Sequence, residues 1–184
     1  FIFDNIQDNK YCKLVVTQGS SQIIKFFSIL VNSIDTEQIP SNVEDGINYL
    51  SENSILLVLD APYKDFVYVS GSFNNWEPDS SFLMKKDPDS SKFWIVINDL
   101  AFEANHTYQY WVVDSNPLEN SPELVKTADP YSYLVLSPFD DPWIPENSYP
   151  NLPSYPEGQE REVTMFNLSS NDYDWQVENF EKPK

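Results

Sequence analysis

VYVSGSFNNW, residues 67–76, is the stretch on which the reading of this chain turns. Val67, Tyr68, Val69 and Ser70 alternate with the two-residue period of a half-buried strand. Gly71 ends the run, a polar turn follows, and Trp76 stands at the end of that turn. A strand broken by glycine and asparagine is the punctuation of a β-protein. The tryptophan raises a further question. Either it folds back over the sheet edge as core, or it offers a flat aromatic face to something outside.

The same pattern recurs on both sides. SILLVLDAP (54–62) is apolar on both parities, as a strand covered on both faces must be. DFVYVSG (65–71) alternates. FLMKKD (82–87), FWIVIND (93–99) and NHTYQYWVVD (105–114) follow, with the Pro, Asp and Ser of DPDSSK (87–92) as a turn. Residues 115–130 read as a polar loop. YSYLVL (131–136) reads as a closing strand and REVTMFNL (161–168) as one more edge strand. Strands at this spacing predict an all-β sandwich. Twelve Phe, 11 Tyr, 5 Trp, 14 Pro and only 4 Gly fit strands joined by stiff connections.

KLVVTQGSSQIIKFFSILV (13–31) is a hairpin around Gly19, Ser20 and Ser21. A lone two-stranded hairpin is marginal in water, so 1–34 is read as the last strands of a preceding sandwich. Residues 35–50 are read as linker and 51–137 as the main sandwich. Residues 138–184 form a proline-rich, aromatic-rich tail. Prolines at 138, 142, 145, 150, 153 and 156 keep it extended. The interleaved Phe139, Trp143, Tyr149 and Tyr155 predict that it lies on a protein surface. Trp94 is expected in the core, and Trp143 and Trp175 against a neighbouring domain. The opening FIFDNIQDNK carries neither methionine nor a signal-peptide pattern. It reads as the start of a processed or truncated piece of something longer.

A net charge of −18 disfavours nucleic acid and anionic membrane as partners and tolerates a neutral ligand such as a sugar. Most of these charges need no role beyond solubility. The lone Cys12 allows no internal disulfide, and no apolar run is long enough for membrane insertion. His106 is the only histidine, expected at the surface, and no Cys/His spacing suits zinc. No phosphate loop or dinucleotide fingerprint is present. No pair among the 29 carboxylates is singled out for glycosidic acid–base work. Asp140 and Asp141 suggest a calcium site less well than a solvated turn. The chain itself is therefore not expected to be an enzyme, and neither cofactor nor metal is expected. Aromatic surface remains: sugars stack C–H faces on rings while polar side chains bond their hydroxyls. Trp76 has Asn74 and Asn75 beside it for that purpose.

GSFNNW, then KFWIVINDL, YQYWV and KTADPYS, resembles the family 48 carbohydrate-binding modules over about residues 50–136. The wider layout, through the proline-rich stretch to YDWQVENFEKP, is similar to the region ahead of the catalytic barrel in Bacteroidetes-type α-amylase-like enzymes of glycoside hydrolase family 13. The resemblance implies an immunoglobulin-like β-sandwich of the early-set type, in a bacterial protein placed extracellularly, at the cell surface or in the periplasm. It implies an α-glucan ligand (starch or glycogen) and the barrel of the same polypeptide as partner. In the binding family a second stacking tryptophan stands four residues before the proline of a DP pair. Here that pair is Asp129-Pro130, and the position holds Lys126. Carried over residue by residue, the implied sugar site is Trp76, Asn74, Asn75 and Lys126. Two other readings stay open: a structural module whose aromatics pack between domains, and a stand-alone glycan-sensing interaction protein.

Overall fold

The computed structural model describes residues 6–7, 10–29, 31 and 34–169. Trp175 and the YDWQV segment lie outside them. The architecture is an all-β sandwich with a separate hairpin. Among the described residues, helix is limited to three-residue 3₁₀ turns.

β1 (Lys10–Gln18) and β2 (Ser21–Ile29) form the hairpin, closed by Gly19 at φ +61. A left-handed residue at this turn suits glycine. Leu14, Val15, Val16, Ile23, Ile24 and Phe27 are all exposed to a third or more, on both faces.

The first sheet of the sandwich runs β3-β4-β7-β6, from β3 (Gly46–Ser51), β4 (Ser54–Asp60), β6 (Lys85–Lys86) and β7 (Lys92–Ile97). The second is built on β8 (Asn105–Val113). β5 (Phe66–Gly71) pairs with one side of β8; β9 (Leu124–Thr127) and β11 (Val163–Asn167) pair with the other, and β10 (Val135–Leu136) pairs with β11. All of these pairings are antiparallel. The sheets meet where Met84 N–H donates to the Val67 carbonyl at 2.8 Å.

Parity sorts the side chains. Ile55, Leu57 and Leu59 of β4 face the core with Val67, Val69, Phe93 and Ile95. Leu56 and Val58 face the other way with Trp94, under Ile39 and Val43. The two-sided apolar run at 54–62 thus becomes a strand buried on both faces. Each buried aliphatic side chain contributes about 1.5–3 kcal/mol.

Three boundaries differ from the sequence reading. The stretch read as linker, 35–50, packs on the first sheet and supplies most of β3. Its backbone bonds Lys86 from Asp35 and Glu37, and the Glu37 carbonyl accepts from the Trp94 indole at 3.0 Å. The loop read at 115–130 contains β9. The strand read as an edge, 161–168, lies between β10 and β8, so the sandwich continues past 137 to Asn167. His106 also differs from expectation: it is buried, stacked on Phe166 at 5.3 Å, with Nε2 2.9 Å from the Ala101 carbonyl.

A buried carboxylate ties the second sheet together. Asp129 Oδ2 accepts from the Tyr108 hydroxyl at 2.7 Å and the Tyr110 hydroxyl at 3.0 Å. Its Oδ1 accepts from Tyr131 N–H at 2.8 Å, and its own N–H donates to Thr164 Oγ1 at 2.8 Å. Asp129→Ala strands two buried phenols, each costing about 1–3 kcal/mol unpaired. Chemical denaturation should show a loss of roughly 2–5 kcal/mol for Asp129→Ala and only about 1 kcal/mol for Tyr108→Phe.

Burial, helped by the nearby Asp129 charge, holds both phenols well above their ordinary 10.0. Below pH 10 they are protonated in folded and unfolded chains alike, so their contribution is fully present. Above it the unfolded chain ionises first, which favours unfolding. Stability should therefore fall as pH rises beyond about 10. Replacing both tyrosines with phenylalanine should flatten that part of the denaturation-versus-pH curve.

Candidate functional site

The outer face of the second sheet is set by the parity of β8. Tyr108 and Tyr110 point into the core, so Gln109 and Trp111 point outward. Trp111 clusters there with Tyr68 and Val113. Its indole N–H donates to Gln109 Oε1 at 3.0 Å, and Gln109 Nε2 reaches the Glu162 carbonyl at 3.4 Å. The register of β9 sets Lys126 opposite Trp111. The ammonium lies 4.2 Å from the centroid of the indole, a cation–π contact. Burial pushes the Lys126 pKa below the usual lysine value, against the opposing pull of Glu160.

Trp76 reaches the same face by a strained turn. The 3₁₀ turn Ser72–Asn74 follows β5 directly. Asn75 then takes φ +53 and Trp76 φ +62. Asparagine tolerates the left-handed region, whereas a bulky side chain there is an outlier. Strain of this kind costs on the order of 1–3 kcal/mol and persists where the surroundings enforce it. Trp76 N–H is held by the Gly71 carbonyl at 2.9 Å and Glu77 N–H by the Asn74 carbonyl at 3.1 Å. The Asn74 side chain braces the turn at both ends. Its Oδ1 accepts from Gly71 N–H at 2.8 Å, and its Nδ2 donates to the Val69 carbonyl at 3.0 Å.

Gly71 itself sits in extended backbone, where any residue is allowed. Its need is space: an added Cβ would lie 2.5 Å from the Thr107 carbonyl oxygen and 2.9 Å from Tyr108 Cβ. The glycine that ends the strand in the sequence is thus the point where the turn crosses β8.

Trp76, Asn75, Trp111 and Lys126 line one groove of about 530 Å³, with Phe27 of β2 and residues 157–160 of the tail. Three of the four sequence-derived residues therefore come together. Asn74 lies beneath them with its amide engaged by backbone. Trp76 is half-buried, while Trp111 is only 3 % exposed beneath Lys126. Sequence reading left Trp111 without a role, and missed Phe27 and the 157–160 segment. The two-residue alternation from Tyr108 onward was the available signal for Trp111. Phe27 carried none, because only the tertiary path of the hairpin brings it here.

Elsewhere the polar groups support structure. The Ser137 backbone N–H and hydroxyl donate to Asp141 and Asp140 respectively, as parts of a turn. Among the described residues no group of three or more His, Cys, Asp or Glu gathers in a geometry that holds a metal. No described helix is long and apolar enough to cross a membrane.

Comparison with protein-family models gave no match for the chain, and comparison with curated proteins gave none either.

The turn makes a direct prediction. Gly71→Ala should cost about 1–3 kcal/mol through overpacking. Asn74→Ala should cost a similar amount by stranding Gly71 N–H and the Val69 carbonyl. Both should shift the Trp76 emission maximum toward that of free indole, whereas Asn75→Gly, which suits the observed φ, should leave stability within about 0.5 kcal/mol of wild type.

Proposed function

We propose that the chain is a non-catalytic module that binds or positions α-glucan for a secreted α-amylase-family glycoside hydrolase. The observation that carries this reading is Trp76. A bulky side chain in left-handed backbone, braced by Asn74 and Gly71, opens on a groove that also holds Trp111, Lys126 and Asn75. Strain kept at a groove is a mark of function more than of folding. A neutral, hydroxyl-rich ligand suits the net charge of −18. In this reading Trp76 stacks on the pyranose C–H face, and Lys126 and Asn75 bond hydroxyls. The sandwich is of the immunoglobulin-like early-set type and is followed in the whole polypeptide by a catalytic barrel. The exposed aromatics of the tail, Phe139, Trp143 and Tyr149, are the surface that meets that barrel.

A second reading rests on a specific contact. The Lys126 ammonium covers the Trp111 face, the place a second sugar platform would occupy. In this reading the groove is an interdomain seam, filled by Phe27 and residues 157–160, and no sugar enters.

With one good platform, affinity should be weak, a Kd of roughly 10⁻⁴–10⁻³ M. Titration with maltoheptaose, followed by tryptophan fluorescence and amide shifts, should give saturable shifts at Asn75, Trp111 and Lys126 that Trp76→Ala abolishes. Lys126→Ala should leave binding weakened about tenfold or less. A folded chain with no saturable response at millimolar sugar would leave the packing reading.

A further inference from the structure

A second concave site lies away from the Trp76 groove and shares no residue with it. It is a cleft of about 300 Å³, the lower end of ligand-pocket sizes, where β3, the loop after Pro130 and β11 meet. Tyr49, Tyr131, Tyr133, Ile47, Glu44 and Asp45 line it. Tyr49 and Tyr131 are half-exposed, and Tyr133 stands fully in solvent. One exposed aromatic is ordinary, but three around one cleft form a patch that asks for an occupant.

One of the three rings is fixed in advance. Tyr131 N–H donates to Asp129 Oδ1 at 2.8 Å, and Asp45, which lines the cleft with it, is paired with Lys92 at 2.6 Å. Gly46, at φ +92, passes so close that an added Cβ would lie 2.7 Å from Tyr131 Cβ. Glycine is needed there for both backbone and space. Tyr131 is therefore held against β3 by the close Gly46 backbone and by the buried carboxylate.

From this we infer that the cleft binds a short stretch of neutral oligosaccharide. Tyrosine rings give apolar platforms with a polar rim, the pairing that C–H faces and hydroxyls require. Glu44 and Asp45 supply acceptors to hydroxyl donors, and no Lys or Arg lines the cleft, so an anionic ligand is repelled. A protein partner needs about 800 Å² on each side. Docking one here would bury the Glu44 carboxylate, for which the cleft offers no cation, whereas sugar hydroxyls satisfy it in place.

The test uses the whole chain carrying Trp76→Ala, so that the groove is silenced. Maltoheptaose, cellohexaose and mannohexaose are titrated separately by calorimetry and amide shifts. Saturable binding of one of them, with shifts at Gly46, Tyr131 and Tyr133, is the expected result. Tyr133→Ala, whose exposed side chain contributes nothing to folding, should weaken it at least tenfold, and Tyr133→Phe should retain it within about threefold. Absence of saturable binding of all three at about 10 mM overturns the inference. So does binding that Tyr133→Ala leaves intact. Failure of the Trp76 groove would show instead in the Trp76-intact chain, as a titration that Trp76→Ala does not change.

Discussion

A carboxylate taken out of water is tolerable only when hydrogen bonds surround it. Asp129 is 2 % exposed, and its donors come from β8 and from the backbone of Tyr131. Tyr108 and Tyr110 must turn inward to meet it. That fixes the parity of β8, and with it the outward direction of Gln109 and Trp111. Thr164 of β11 must stand opposite the Asp129 backbone, which draws β11 to the middle of the sheet. Tyr131 must follow directly, which places a ring at the β3 edge. Both concave sites are thus consequences of one buried group.

The outer groove is a contest between contacts made within the chain and contacts offered by a ligand. A cation over an indole contributes on the order of 0.5–2 kcal/mol, the higher value when desolvated. Desolvation of the Lys126 ammonium works against that contact, as its lowered pKa records. The lysine is therefore held over the indole by a contact that its own desolvation opposes. Trp76 differs: its backbone is strained and held by hydrogen bonds that do not involve the groove. Its ring needs no rearrangement to be offered, and preorganisation of that sort lowers the cost of binding.

What the sequence made legible follows from how local each signal was. The two-sided apolar run of β4 and the Gly71 break are written in neighbouring residues, and they stand. β9 is four residues long in a polar stretch, so its only recommendation is the partner β8 provides. β3 hides in a segment whose Asn48 and Asp45 look like linker, yet Ile47 and the left-handed Gly46 meet the sheet and Tyr131. β11 looked like an edge because nothing local says that the strand read at 131–136 pairs with it rather than closing the sheet itself. Asn74 was read by its proximity to Trp76, whereas its amide is committed to the turn. Long-range pairing decides all of these, and composition carries little trace of it.

The hairpin extends the same logic beyond the sandwich. Its two strands pair with each other as a sheet of their own, and apolar side chains stand exposed on both faces. Beside it the Tyr68 hydroxyl donates to the Val31 carbonyl at 3.3 Å, and Phe27 lines the groove. Tyr68 is on the outward face of β5, next to Trp111 in the same cluster. The groove's walls therefore come from residues 27, 76, 111, 126 and 157–160, which the sequence scatters over most of its length. Anything seated there binds the arrangement of hairpin, sheet and tail together, and stabilises it by mass action, by an amount that grows with the logarithm of its concentration over its Kd. A weak ligand at high local concentration is enough for that. Recognition and domain arrangement are thus coupled at a single surface, whichever of them evolution placed there first.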